Sequence, residues 1–228
     1  MTDIHTHALP GVDDGAKNID ESLGMLRYSY NSGVKKCVLT PHCFIHSSTA
    51  IESFTEVRDE AFAALCSRTR HMDDVPKLLT GAEVYCDHDI SRHRDIDKLC
   101  ICGTNMMLVE FPLDGRRRPL SEWIYSLNTK GITVIAAHVE RYADTAKILE
   151  ETKGLDIVYQ INASSFMHIS SRRKLKKILL CPGKFIAASD MHNMTTRKSR
   201  LAEARDLAQK RSFGAELFRD DILRRCTK

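Results

Sequence analysis

His5 and His7 flank Thr6 within the first seven residues, just before the turn-rich segment Pro10-Gly11-Val12-Asp13-Asp14-Gly15. In an extended strand, residues two apart point to the same side, so both imidazoles can face one cation where the strand gives way to a loop. A helix would need histidines at i and i+4. One H-x-H pair among 10 histidines is weak by itself and is as readily a surface pair. Its weight comes from other residues of ligating type that follow apolar runs in the same way. Val38-Leu39-Thr40-Pro41 leads into His42, Leu78-Leu79-Thr80-Gly81-Ala82 into Glu83, Met107-Leu108-Val109 into Glu110, and Thr133-Val134-Ile135-Ala136-Ala137 into His138. Phe185-Ile186-Ala187-Ala188-Ser189 leads into Asp190, with His192 two residues on.

Each of these residues alone is more commonly a surface or capping group than a ligand. Their recurrence at one strand end after another is the informative feature. Imidazoles and carboxylates gathered together repel or desolvate badly, and bound cations relieve both costs. Mixed nitrogen and oxygen donors suit Mn, Fe or Zn better than Mg or Ca. His5, His7, Asp14, His42, Glu83, Glu110, His138, Asp190 and His192 exceed the needs of one ion. Two or three divalent ions are expected, with Glu83, in the middle of the set, as the carboxylate bridge.

The elements that must position these residues alternate along the chain. Strand patterns fall near 2–6, 35–40, 77–84, 105–111, 132–137, 155–161 and 184–189, and helix patterns near 19–32, 50–70, 119–130, 142–150, 169–180, 195–211 and 214–225. This β/α order predicts a parallel sheet with covering helices. Gly33 and Gly131 stand where helix C-caps should, and Ser121 and Glu122 suit a first helical turn after Pro119. A closed barrel of parallel strands would gather all the strand-end residues at one mouth, and seven strands, one short of the usual eight, predict an incomplete or distorted one.

The chain has 228 residues, 43% of them apolar, which fits a single domain with a sizeable core. A net charge of +4 does not require a nucleic-acid partner. The basic runs Arg116-Arg117-Arg118, Arg172-Arg173-Lys174 and Lys176-Lys177 read first as solvated faces, with Arg116 to Arg118, after the Glu110 strand, best placed to meet an anionic substrate. Eight scattered cysteines (37, 43, 66, 86, 100, 102, 181 and 226), with no signal peptide pattern, predict reduced thiols and a cytoplasmic protein. The sequence contains no C-x-x-C motif, and Cys66, with Arg68 and Arg70 two and four residues on, does not provide the C-x5-R loop of cysteine-dependent phosphatases. No apolar run approaches about 18 residues, so no membrane span is expected.

Several segments together resemble the polymerase and histidinol phosphatase (PHP) superfamily, and within it the bacterial protein-tyrosine phosphatases of capsule and exopolysaccharide loci. They are Asp3-Ile4-His5-Thr6-His7, Val12-Asp13-Asp14-Gly15, Thr40-Pro41-His42, Gly81-Ala82-Glu83-Val84-Tyr85, Val109-Glu110-Phe111-Pro112, Ala137-His138-Val139-Glu140-Arg141-Tyr142, Gln160-Ile161-Asn162-Ala163-Ser164-Ser165 and Ala188-Ser189-Asp190-Met191-His192-Asn193. The resemblance implies a distorted (β/α)7 TIM-like barrel holding three divalent metals, commonly Mn or Fe. It assigns His5, His7, Glu83 and Asp190 to a first ion, Glu83, Glu110 and His138 to a second, and Asp14, His42 and His192 to a third. It also implies phosphoryl-binding arginines matching Arg141 and Arg197, hydrolysis by a metal-activated hydroxide without a cysteine nucleophile, and a tyrosine autokinase with a tyrosine-rich tail as partner. The sequence departs from the family pattern at Cys43-Phe44-Ile45-His46 and at Val139, where proline is common; both departures bear on the shape of the substrate loops.

Other readings stay open at this level. The same ligands would serve a small-molecule phosphoesterase acting on histidinol phosphate or a nucleotide, since fold does not settle substrate. They would also serve metal-dependent deamination or amide hydrolysis, or a metal-binding regulatory module without turnover. Arg141 has an alternative role as a surface ion pair with Glu140.

Overall fold

The computed structural model describes residues 1–116, 118–218 and 223. Arg117, Cys226 and half of the helix expected over 214–225 lie outside the described residues; within that span Ala215–Leu217 forms a 3-10 turn. Among the described residues, the strands are β1 (Thr2–Thr6), β2 (Lys36–Leu39), β3 (His42–Phe44), β4 (Lys77–Thr80), β5 (Glu83–Tyr85), β6 (Met106–Glu110), β7 (Thr133–Ala136), β8 (Ile157–Asn162) and β9 (Phe185–Ala188). The helices are α1 (Ile19–Asn31), α2 (Ser48–Thr69), α3 (Leu120–Thr129), α4 (Thr145–Glu151), α5 (Ile169–Leu179) and α6 (Leu201–Lys210). None is long and apolar enough to cross a membrane.

Every ladder is parallel, as the β/α alternation predicts, but the ladders form two sheets: β1-β2-β4 and β3-β5-β6-β7-β8-β9. Among the described residues nine strands replace the seven expected: the one expected over 77–84 is interrupted, and β3 is a short strand beyond the one expected over 35–40. Thr40-Pro41 separates β2 from β3, where proline brings no N–H to a ladder, and Gly81-Ala82 separates β4 from β5. Gly81 is held close: an added Cβ would stand 3.3 Å from Ile101 Cγ1. Backbone bonds cross the interruption, from Gly81 N–H to Leu39 O (2.9 Å) and from Glu83 N–H to Pro41 O (3.0 Å). At the far edge, the His7 N–H donates to Met191 O (2.8 Å) and the Asp190 N–H to His5 O (2.9 Å), tying β1 to the chain just after β9.

Helix boundaries follow local chemistry. Asn18 and Ser47 cap α1 and α2, their side chains accepting from Glu21 N–H and Ala50 N–H. Gly33 and Gly131 take φ of +90° and +79° just past α1 and α3, the left-handed turn that glycine allows without strain. The helix expected from residue 195 starts only at Leu201. Asn193 Oδ1 accepts the N–H groups of Thr195 and Arg197, which holds the intervening segment as a loop.

Both strand faces are buried, so apolar runs rather than strict alternation mark the strands. Between sheets and helices lie Val84, Val109, Val134 and Ile161. On the opposite side Ile4, Val38, Leu108, Ile135, Val158 and Ile186 form a second cluster, with Leu79 packed against it.

Candidate metal centre

Strand ends and the loops beside them bring the nine candidate ligating residues to one place. His5 and His7 project from the end of β1, their Nε2 atoms 3.1 Å apart. Glu83, which opens β5, is the hub. Its Oε2 lies 3.1 Å from His5 Nε2, 3.3 Å from His7 Nε2 and 3.0 Å from His42 Nδ1, and its Oε1 3.1 Å from His138 Nε2. His138 Nε2 is also 3.3 Å from Glu110 Oε1. Asp190 Oδ1 approaches His5 and His7 Nε2 at 3.6 and 3.5 Å and His192 Nδ1 at 3.4 Å. Asp14, 64% exposed at the rim, places Oδ1 3.4 Å from both His42 Nε2 and His192 Nε2.

Among the described residues, the groups compact enough to share an ion are His7, Asp14, His42 and His192; His5, His7 and Asp190; and His42, Glu83 and Glu110. They overlap the three sets that the resemblance implies, with His7 and His42 each standing between two sets.

The donor chemistry fits cations. Facing imidazole nitrogens and carboxylate oxygens leave lone pairs pointed at one another, and Glu83 Oε2 and His192 Nε2 are buried without a hydrogen bond. In the cation-free protein, protons fill the gap. Burial alone would lower His7, His42 and His138, yet hydrogen bonds to Asp13, Asp190 and Glu83 raise His7 well above the usual range, and Glu83 raises His42. Glu110 and Glu83 lift His138 to about 9. Against its own burial, Glu83 is held well below the normal carboxylate range by the charge and hydrogen bonds of these histidines. His192 is the exception, pushed down to about 4 by burial and by the charge on His7.

Residues that sequence reading did not single out hold the ligands in place. Asp13, rather than its neighbour Asp14, turns inward: Oδ2 stands 2.6 Å from His7 Nδ1 and accepts the His42 N–H (3.0 Å), while Oδ1 accepts the Gly15 N–H (2.9 Å). Gln160 Oε1 lies 3.1 Å from His5 Nδ1 and accepts the His138 N–H at 2.7 Å. The Gln160 amide donates to Asn162 Oδ1, and the Asn162 amide donates to Asp190 Oδ2, both at 2.8 Å. Gly15 lies so near His7 that an added Cβ would sit 1.9 Å from the His7 carbonyl oxygen. The only sequence signal for these groups is their adjacency to ligands within the segments that carry the resemblance.

Two arginines stand at the rim. Arg197, 42% exposed, reaches Asp190 Oδ1 (3.1 Å) and Asp14 Oδ2 (3.7 Å), and Arg141, 45% exposed, comes within 3.9 Å of Asp190 Oδ2. The Glu140–Arg141 pair considered from sequence does not form. Glu140 turns inward and accepts from the Asn162 N–H and the Ser165 hydroxyl. Arg118 is committed to a two-toothed bond with Asp114 (2.6 and 2.9 Å), and Arg116 lies 3.6 Å from the same carboxylate.

Fold and site together define a class: a parallel α/β protein with an imidazole–carboxylate cluster of metal-ligating composition at its strand ends. The profile of the family described as "Capsular polysaccharide synthesis, CpsB/CapC" matches residues 1–226, and the chain belongs to that family. It is 30% identical over 226 residues to Tyrosine-protein phosphatase YwqE of Bacillus subtilis (strain 168), covering 95% of this chain and 87% of the relative. It is 27% identical over 228 residues to Tyrosine-protein phosphatase CpsB of Streptococcus agalactiae serotype III, covering 95% and 92%. A solved chain from the crystal structures of YwqE from Bacillus subtilis and CpsB from Streptococcus pneumoniae, described as unique metal-dependent tyrosine phosphatases, aligns with a TM-score of 0.79 at 26% identity, covering 95% of this chain and 89% of that one.

Proposed function

We propose that the chain is a metal-dependent protein-tyrosine phosphatase that removes phosphate from a bacterial tyrosine autokinase tail serving capsule and exopolysaccharide synthesis. The observation that carries this reading is the convergence of nine imidazole and carboxylate ligands beside two exposed arginines, in a chain whose relatives bear tyrosine-phosphatase names. The scaffold is read as one domain over residues 1–228, a distorted (β/α)7 barrel. In support, one apolar cluster draws residues from β1, β2, β4, β6, β7, β8 and β9, and backbone bonds join β1 to the segment after β9. A cytoplasmic site of action accords with the free thiols of the described cysteines.

In this reading His5, His7, Glu83 and Asp190 hold one ion, Glu83, Glu110 and His138 a second, and Asp14, His42 and His192 a third. Mn is the first choice, with Fe or Zn as alternatives. Ions so held supply positive charge to a transferring phosphoryl group and acidify water toward neutrality. The protein's own groups do the rest. Arg141 and Arg197 grip phosphoryl oxygens, where the charge of a loose transition state accumulates, and a guanidinium can hold two oxygens at once. An arriving phosphoryl group competes with Asp190 for Arg197. Asp13 and Gln160 fix the tautomers of His7 and His5 so that Nε2 faces the centre. The cysteines beside the site are not poised as nucleophiles: burial pushes the thiol of Cys43, beside His42, up to about 12 and raises Cys37 and Cys86 too, so none of these three is a thiolate near neutral pH.

The test is phosphate release from a phosphotyrosine peptide, a phosphoserine peptide and histidinol phosphate, each with Mn-loaded and chelator-treated protein. Metal-dependent release favouring phosphotyrosine is expected. A preference of orders of magnitude for histidinol phosphate would overturn the substrate, and silence on all three would overturn the enzyme reading.

A further inference from the structure

We infer that Phe44 and Tyr85 form an aromatic wall that receives the ring of an aryl phosphate and gives the centre its preference for aryl over alkyl esters. This deepens the phosphotyrosine reading above and rests on it. The parallel register pairs His42 with Glu83, then Phe44 with Tyr85, and Tyr85 in turn with Glu110. Side chains two apart on a strand share a side. Phe44 therefore stands over His42 and Tyr85 over Glu83, about 6.6 Å further along the strands toward solvent. The rings agree: the His42 and Phe44 centroids are 6.3 Å apart, and Phe44 meets Tyr85 at 5.5 Å with a 50° tilt.

Phe44 does no packing that would explain it. It is 56% exposed and belongs to none of the core clusters, while Tyr85 is half-buried behind it. A phosphorylated phenol with its phosphorus among the ligands carries its ring one step outward, to the height of this pair. Tilted rings leave a face and an edge for a third. A seryl phosphate offers only a methylene there and gains nothing from the wall.

Calorimetric titration of the Mn-loaded protein with phenylphosphonate and methylphosphonate reads ring binding without turnover. Wild type is expected to bind the phenyl compound more tightly. Phe44→Ala is expected to lose about three- to tenfold in phenylphosphonate affinity, with methylphosphonate unchanged and Phe44→Trp restoring the preference. Equal affinity of wild type for both compounds, or equal loss of both in Phe44→Ala at unchanged metal content, overturns the wall. A wild type that keeps the phenyl preference but releases no phosphate from phosphotyrosine overturns the phosphatase reading and leaves an aryl-anion site standing.

Discussion

Gln160 is a fully buried amide that touches three ligating residues directly or through one neighbour. The His138 N–H needs an acceptor, which fixes Oε1 toward it and leaves the Gln160 amide nitrogen to face Asn162 Oδ1. The same Oε1 takes the proton of His5 Nδ1, so the His5 lone pair lies on Nε2, toward Glu83 and His7. Gln160→Leu keeps the bulk and removes all three bonds. The His138 N–H, the His5 Nδ1–H and Asn162 Oδ1 are then left without this partner, and a buried unsatisfied group costs roughly 1–3 kcal/mol. The cation-free protein should lose on the order of 3 kcal/mol even if one group finds another partner. Metal affinity should fall about 10- to 100-fold, because groups that orient ligating histidines act at that scale. Gln160→Glu, which keeps an acceptor for both donors, should retain more metal than Gln160→Leu. The assay pairs thermal unfolding of chelated protein with Mn retention against a competing chelator. If Gln160→Leu retained Mn like wild type, the claim that this amide orients His5 and His138 for a cation would fall.

Arg141→Ala should lower turnover of aryl phosphates by about 10²-fold, the scale of removing one positioned donor to transition-state charge, with metal content intact; loss of metal as well would refute its assignment to phosphoryl oxygens. Gly15→Ala drives a Cβ to within 1.9 Å of the His7 carbonyl oxygen and should destabilise by at least about 3 kcal/mol while impairing metal uptake, read by melting temperature and metal analysis; a wild-type melting temperature would contradict the close approach. In cation-free protein, His138 is raised by Glu110 and Glu83, against burial, from 6.5 to about 9. A raised folded pKa gives stability that is full below the unfolded value and is lost as pH rises through the folded one. Chelated protein should therefore lose thermal stability between pH 6.5 and 9 while Mn-loaded protein holds it, and parallel melting curves for the two would refute the substitution of a cation for these protons.

Most of the candidate ligating residues are legible in the sequence because they follow apolar runs, and strand periodicity lets H-x-H and D-x-H present two groups to one side. Helix ends at Gly33 and Gly131 are legible for a similarly local reason, since a left-handed C-cap calls for glycine. What supports the ligands is not legible. Nothing in Val12-Asp13-Asp14-Gly15 says which aspartate turns inward, because that depends on Gly15 packing against His7. Gln160 and Asn162 sit in a strand whose residues are all buried, where a polar side chain reveals its role only once β7 and β9 are placed beside it. The interruption at Gly81-Ala82 divides a strand that reads as continuous over 77–84, β3 lies beyond the strand expected over 35–40, and an asparagine side chain holds residues 195–200 out of the helix their pattern suggests.

Two of the candidate ligating residues adopt a backbone conformation that L-residues rarely take: His138 at φ of 30° and Asp190 at 53°. Such conformations cost on the order of 1–3 kcal/mol each and persist only where surrounding bonds enforce them. Here those bonds are identifiable. The His138 N–H is captured by Gln160, and the Asp190 N–H by the His5 carbonyl. The kink at Asp190 has two effects at once. It carries the chain after β9 onto β1, so that His7 can bond to Met191 O, and it turns the Asp190 carboxylate toward His5 and His7. The contact between the first and last strands and the grouping of three ligands therefore have a common cause. A substitution that relaxes this kink should loosen both, and the strand contact and the metal affinity should decline in proportion rather than separately.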